Sequence, residues 1–135
     1  MTKPPILDTH VWIWWMLGDR RLSSREREIL DGLPRDARPV LCDISLWEVA
    51  LLVKVGRLHL DDDLADWLRI AAAPATVEVR GITPAVVVAM NQLPATFHPD
   101  PADRLIVAAA RAAGLPVATR DQRIRRSRLV TLWTP

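Results

Sequence analysis

Hydrophobic positions along the chain follow two patterns, which are short apolar runs bounded by turn residues and longer runs in which apolar residues recur every three or four positions. The short runs indicate buried strands and the longer ones indicate helices. Strands are predicted over residues 5–7, 39–42, 76–79, 117–118 and, at one edge, 129–132. Helices are predicted over residues 11–17, 23–33, 45–55 and 63–72, from Thr83-Pro84 onward, and from Asp100-Pro101 to Gly114. This alternation predicts an α/β fold with a parallel sheet.

Length and composition indicate a single domain over residues 1–135, since half of the residues are hydrophobic and a quarter are charged. Cys42 is the only cysteine, which excludes an intramolecular disulfide and a cysteine-rich metal site. No apolar run approaches the roughly 20 residues of a membrane span or forms a targeting core, so a cytoplasmic protein without membrane contact is expected. The basic residues are mostly arginine, which weakly favours an anionic partner.

Four acids occur at equivalent points of the predicted strand–helix units. Asp8 and Asp121 directly follow strands, and Glu48 and Asp103 lie near the starts of helices. The carboxyl ends of parallel strands share one edge of the sheet with the amino ends of the following helices, so these side chains are predicted to converge. Crowded carboxylates repel one another, which predicts a bound cation, and oxygen ligands suit Mg²⁺ or Mn²⁺. Such a site can activate a water that hydrolyses a phosphodiester.

Each acid also has a purely structural interpretation. Ser45 and Glu48 fit a capping box, Asp100 fits an N-cap with Asp103 in the first helical turn, and the other two acids fit ordinary turns. Against this, the helix of Glu48 is apolar almost throughout and is predicted to be buried on every side. Its i±4 neighbours are apolar, so no basic residue pairs with Glu48 along the helix, and a buried unpaired carboxylate is costly.

The segments that carry these acids resemble the PIN-domain nucleases of the VapC toxin type. They are Leu7-Asp8-Thr9-His10, Ser45-Leu46-Trp47-Glu48-Val49-Ala50, His98-Pro99-Asp100-Pro101-Ala102-Asp103-Arg104 and Thr119-Arg120-Asp121. They occur in the family's order, and the resemblance covers essentially the whole chain. It implies a three-layer PIN-like fold, in which helices flank a central parallel sheet of four or five strands. It also implies Mg²⁺- or Mn²⁺-dependent RNA cleavage by a toxin that forms a homodimer and is blocked by a VapB-like antitoxin.

The resemblance assigns roles by position. The catalytic metal ligands would be Asp8, Glu48, Asp103 and Asp121. The supporting polar residues would be Thr9, Ser45, Asp100 and Thr119, with Asp100 interpreted mainly as a cap beside the site. The RNA contacts would be Arg104 and Arg120, with surface ion pairs as the alternative, and the arginine-rich segment after Asp121 adds Arg123 as a third predicted RNA contact. The arginine run from Arg120 to Arg128 is interpreted as a groove wall for RNA phosphates or, alternatively, as a solvated charged surface.

Other residues leave alternatives open. His10 and His98 lie near the predicted site, and metal-free acid–base cleavage by them is disfavoured because it leaves four acids without a purpose. Trp12, Trp14 and Trp15 cannot share one helix face, so a mixture of core packing and at least one ring at an interface is predicted.

Two rival functions remain. A non-catalytic PIN-fold module that binds RNA or protein would keep the fold without the chemistry. A receiver domain of a response regulator also gathers acids at strand ends, but it needs a lysine after its last strand. The only lysines here are Lys3 and Lys54, which disfavours that class.

Overall fold

The computed structural model describes residues 3–135. In chain order the elements are β1 (Ile6–Leu7), α1 (Thr9–Leu17), α2 (Ser24–Gly32), a 3₁₀ turn (Arg35–Ala37), β2 (Val40–Cys42), α3 (Ile44–Lys54), α4 (Leu64–Ala71), β3 (Glu78–Arg80), α5 (Pro84–Asn91), α6 (Pro101–Ala113), β4 (Val117–Ala118) and α7 (Gln122–Ser127). The strands form one parallel sheet in the order β3-β2-β1-β4. Within the described residues, no helix combines the length and hydropathy that a membrane crossing requires.

Helices cover both faces of this sheet. Ile6 and Val40 pack into one core cluster with α5 and α6, whereas Leu7 and Leu41 pack into a second cluster with α1, α2 and α4. Neighbouring residues of a strand point to opposite faces, so strands whose residues are all apolar are buried on both sides. The predicted three-layer α/β fold with a four-stranded parallel sheet is therefore confirmed.

Local capping sets several helix boundaries. The Ser23 hydroxyl accepts from the Glu26 amide at 3.1 Å, and the Glu26 carboxylate accepts from the Ser23 amide at 3.0 Å, which is a capping box. Thr83 and Asp100 cap α5 and α6 by a single bond each, from the amide three residues on, and each is followed by proline in the first turn. Gly114 ends α6 with φ at 65°, a left-handed conformation that costs glycine little.

The structure corrects three element predictions. The edge strand predicted over residues 129–132 is reduced to one parallel bridge between Val117 and Leu132. The third strand begins at Glu78, because the preceding Val77 amide donates to the Ala73 carbonyl and closes a turn. Helix α7 was not predicted, since Ile124 is its only buried residue and one apolar position gives no helical period.

The expectation that α3 is buried on every side is wrong. Trp47, Leu51 and Val55 are 60%, 41% and 56% exposed, whereas Val49 is fully buried. The three exposed residues recur every four positions, so they form a stripe on one helix face. Helix α3 thus packs through one side and presents an apolar stripe, Trp47-Leu51-Val55, to solvent.

The tryptophans of α1 belong mainly to the core. Trp12 is fully buried and donates through Nε1 to the Ala71 carbonyl at 2.9 Å. Trp15 is also buried and donates to the Asp31 carboxylate at 2.8 Å. Trp14 is half-buried, with the Arg21 guanidinium 4.8 Å from its ring centroid. Core packing therefore describes two of the three rings, and the placement of a ring of α1 at an interface stays a prediction.

Candidate metal centre

The predicted acids all lie at the carboxyl edge of the sheet or at the helix starts beside it. Asp8 follows β1 at the N-cap position of α1, and Asp121 follows β4 at the N-cap of α7. Glu48 lies one turn into α3, directly after β2, and Asp103 lies in the first turn of α6. Because β1 has β2 and β4 as its two neighbours, three of these acids follow adjacent strands.

Asp8 is 3% exposed, and Thr119 holds its carboxylate. The Thr119 hydroxyl donates to Asp8 Oδ2 at 2.7 Å and accepts from the Asp121 amide at 3.0 Å, so one side chain links two of the acids. Burial raises the pKa of Asp8, the Thr119 hydrogen bond lowers it, and the charge of Asp121 raises it further. Thr119 therefore orients the Asp8 carboxylate without neutralising it.

Glu48 is held in the same manner from α1. The Thr9 hydroxyl donates to Glu48 Oε1, and the buried Ser45 hydroxyl lies 2.7 Å from that of Thr9. Since a hydroxyl has one proton to donate, Ser45 donates to Thr9 and completes a short relay. Burial raises the pKa of Glu48, the Thr9 hydrogen bond opposes this, and Asp8 and Asp100 raise the pKa further.

The capping interpretation fails for Glu48 and holds for Asp100. Helix α3 begins at Ile44 with Asp43 at the N-cap, so Ser45 lies inside the helix and the Ser45–Glu48 capping box is excluded. Asp100 Oδ1 accepts from the Asp103 amide at 3.0 Å and caps α6, as predicted.

Asp103 is electrostatically coupled to the other acids at this edge. Burial and then the charges of Asp8, Asp100, Asp121 and Glu48 raise the pKa of Asp103 from 3.8 to about 8. Like charges disfavour ionisation in this way only at short range. Asp103 is thus near enough to the other three predicted acids and to Asp100 for their charges to act on it, and a carboxylate oxygen of Asp121 lies within 4.8 Å of one of Asp103.

His98 joins this cluster from the loop before α6. Its Nε2 lies 2.8 Å from Asp103 Oδ2, and one ligand atom each of His98, Asp103 and Asp121 lie within 4.8 Å of one another. Asp121 is fixed separately, since its Oδ1 accepts from the Arg123 and Ile124 amides at 2.8 and 3.2 Å. Sequence reasoning considered His98 only as a metal-free acid–base group, although its place two residues before the Asp100 cap pointed to this edge.

The donor set fits a divalent cation. Within residues 3–135, the four acids form a single ion-pair contact, that of Asp103 with His98. The donors that reach the other carboxylates are neutral hydroxyls and backbone amides, so most of the negative charge is left uncompensated. Carboxylate oxygens in this number suit the hard cations Mg²⁺ and Mn²⁺.

The predicted RNA-contacting arginines differ in their surroundings. Arg120 forms an ion pair with the buried carboxylate of Glu26, which matches the alternative weighed for it. Arg104 donates to the Phe97 and His98 carbonyls at 3.1 and 3.3 Å and so holds the loop before α6. Arg123 is exposed, with Nη1 2.8 Å from His98 Nδ1. Contact of any of the three with RNA stays a prediction.

Comparisons with known proteins agree with this arrangement. The family model described as PIN domain matches residues 6–128. The chain is 36% identical over 131 residues to Ribonuclease VapC22 of Mycobacterium tuberculosis, an alignment that covers 95% of this chain and 97% of that protein. Its fold is similar to that in the crystal structure of VapBC2 from Rickettsia felis bound to a DNA fragment from their promoter. That similarity has a TM-score of 0.70 and 16% identity, and it covers 95% of this chain and 96% of the other. The resemblance inferred from the acid-bearing segments is therefore confirmed, and this chain belongs to the PIN domain family.

Proposed function

We propose that this chain is a metal-dependent endoribonuclease and acts as the toxin of a toxin–antitoxin pair. The observation that carries the proposal is the placement of Asp8, Glu48, Asp103 and Asp121 at one edge of the sheet, where Thr119 links Asp8 to Asp121 and Asp103 comes within 4.8 Å of Asp121. Carboxylates whose pKa values are perturbed by burial and by one another mark a candidate functional site. The 36% identity to a protein named as a ribonuclease supports RNA as the substrate.

In the proposed site the acids supply the negative charge that binds the metal, and neighbouring hydroxyls and amides orient the acids. Thr119 fixes Asp8, the Ser45–Thr9 relay fixes Glu48, and the first amides of α7 fix Asp121. Mg²⁺ or Mn²⁺ bound by these carboxylates would supply positive charge to the attacked phosphodiester and acidify the attacking water. The pocket thereby has the parts that hydrolysis of a phosphodiester needs.

The proposal is tested by cleavage of a mixed pool of labelled RNA in Mg²⁺, in Mn²⁺ and in excess chelator. We expect internal cleavage with either metal and none in chelator, because the carboxylates alone supply no positive charge. Cleavage that persists in chelator would contradict the metal mechanism. Metal-independent binding of RNA without cleavage would instead support the non-catalytic module.

The proposed RNA path runs from the acids along α7. Arg123 and Arg126 are exposed and line, with His98, an open cleft of about 540 Å³ next to the acidic pocket. Guanidinium groups in this cleft can bind the phosphates on either side of the cleaved bond, because they lie beside the carboxylates and do not pair with them. The arginine-rich segment is therefore proposed to be a phosphate-binding wall.

Replacing Arg123 and Arg126 together with glutamine is expected to weaken RNA binding and flatten its salt dependence. Each phosphate contact to a single strand contributes about 0.7 to the slope of log K against log salt, so the slope should fall by about 1.4. Filter binding between low and moderate salt measures this. The matched control replaces the exposed Arg20 and Arg25, which lie before and within α2. If both double variants lowered the salt slope equally, the arginine-rich segment would be a solvated charged surface and not an RNA-binding wall.

The proposed protein partners are a second copy of the chain and a VapB-like antitoxin. The exposed stripe Trp47-Leu51-Val55 lies along the helix that carries Glu48, and we propose that the antitoxin covers this stripe and extends to the acids. Exposed Val87 and Val88 on α5 form a separate apolar surface suited to the homodimer. Light scattering of the purified chain measures the dimer directly, and a monomer at high concentration would count against it.

A further inference from the structure

The imidazole of His98 lies beside Asp103 and Asp121, close enough to be a metal ligand in addition to the four acids. Its Nε2 is 2.8 Å from Asp103 Oδ2, and its side chain and that of Asp103 are only 11% and 14% exposed. One ligand atom from each of His98, Asp103 and Asp121 falls within 4.8 Å of the others. Ligands about 2.1 Å from an ion are at most about 4.2 Å apart, so small side-chain movements bring all three onto one ion.

The ring is fixed in this place by the protein around it. The neighbouring Phe97 is buried, and its ring meets that of His98 edge-on with centroids 6.3 Å apart. Arg104, from α6, donates to the carbonyls of both residues. Helix α6 therefore carries Asp103 and also anchors the loop that presents His98, which makes their separation a property of one rigid unit.

In this structure His98 bridges Arg123 and Asp103 through its two ring nitrogens, each at 2.8 Å. Capping of α6 is already performed by Asp100. Imidazole is the commonest nitrogen ligand of metal ions in proteins.

We infer that His98 is a nitrogen ligand of the metal bound by Asp103 and Asp121. This inference rests on the proposed metal-dependent function and names a ligand beyond its four acids. Imidazole nitrogen suits transition ions better than Mg²⁺, so the mixed site binds Mn²⁺ more tightly than an all-oxygen site does. If Nε2 held the metal, Nδ1 would carry the ring proton, and the Arg123–Nδ1 hydrogen bond of this structure would have to break.

Pulsed electron paramagnetic resonance of Mn²⁺ bound to the chain tests this directly, because a coordinated ¹⁴N nucleus modulates the electron spin echo. We expect this modulation in the wild type, its loss in His98→Gln and its retention in His10→Gln. His10 is the matched control, since it is exposed, follows Thr9 in α1 and acts on the pKa values of Asp8 and Glu48 through its charge. Modulation that persists in His98→Gln, or vanishes in His10→Gln, overturns the inference.

The affinity of the site provides a second measurement. Loss of a supporting partner of a metal ligand already weakens binding by about 10- to 100-fold, so His98→Gln should weaken Mn²⁺ by at least about tenfold. Mg²⁺, measured by competition, should weaken several-fold less. Equal losses for the two ions would indicate a general structural defect and contradict the inference.

Labelling keeps the test independent of folding of the variants. Wild-type chain that carries ¹⁵N-histidine should replace the ¹⁴N modulation with that of ¹⁵N, and an unchanged signal excludes histidine as a ligand. If Mn²⁺ binds and RNA is cleaved but no histidine coupling appears, only this inference fails. If neither Mn²⁺ nor Mg²⁺ binds, the proposed function fails with it.

Discussion

Replacement of Asp103 with asparagine is expected to reduce RNA cleavage by more than about a hundredfold at every Mg²⁺ concentration tested, since loss of even a supporting partner of a metal site costs about 10- to 100-fold. The substitution removes the carboxylate whose pKa the neighbouring acids raise. Asparagine has nearly the same shape as aspartate, so packing is little changed. The backbone bond from the Asp103 amide to Asp100 is retained, so α6 should still begin at the same residue. Initial cleavage rates of a labelled RNA across a Mg²⁺ titration measure the loss.

Asp66 offers a matched control for this variant. It occupies the same helical position in α4, where its amide donates to the Asp63 cap at 2.8 Å, but its carboxylate pairs with Arg69 on an exposed surface. Asp66→Asn should leave cleavage unchanged. If both variants cleaved at the wild-type rate, the assignment of Asp103 to the metal site would be untenable.

The second large effect concerns stability in the absence of metal, and its sign follows from the raised pKa. In the folded chain the pKa of Asp103 is about 8, above the 3.8 of the free group, so the folded state holds a proton that the unfolded state has lost. The free energy of unfolding in chelator should therefore fall as pH rises from about 4 to about 8. Asp103→Asn removes this cost. At pH 8 it should be more stable than the parent by about 1 to 3 kcal/mol, since one pKa unit corresponds to about 1.4 kcal/mol and the crowded acids share the shift.

With Mg²⁺ present, the wild type should become more stable than Asp103→Asn. An ion that binds only the folded state stabilises it by about 2.7 kcal/mol at a hundred times its dissociation constant, and the variant binds the ion more weakly. Urea melts between pH 5 and pH 8, with chelator and with Mg²⁺, measure both effects. A helix-dipole role for Asp103 gives the opposite sign, because Asp103→Asn would then cost up to about 1 kcal/mol with or without metal. Asp66→Asn is expected to follow that second pattern.

The sequence by itself determined most of the helices and strands, and the edge of the sheet at which the acids lie. Capping pairs such as Ser23–Glu26 and Asp100–Asp103 are three residues apart, so helix geometry alone brings them together and the helix starts could be predicted. Parallel strands that alternate with helices fix which strand ends share an edge, and this predicted the convergence of residues as distant as Asp8 and Asp121.

Only the tertiary structure decided what each acid contacts. Thr119 and Asp8 are 111 residues apart, and Arg120 and Glu26 are 94 residues apart. No local pattern connects such pairs, because their contact depends on how helices on the two faces pack against a sheet whose order is β3-β2-β1-β4. The pairing that occupies Arg120 therefore came from packing rather than from its neighbours in the chain.

Tertiary packing also decided which apolar side chains of α3 are exposed to solvent. The apolar sequence of α3 predicted burial on every side. Val49 is indeed buried, but Trp47 is 60% exposed. Hydrophobicity measures the free energy gained if a surface is covered, whereas which surfaces are covered depends on the number of elements available to pack against them. Helix α3 has α1, α6 and β2 on its packed side, and its outer stripe is left for a partner or for solvent.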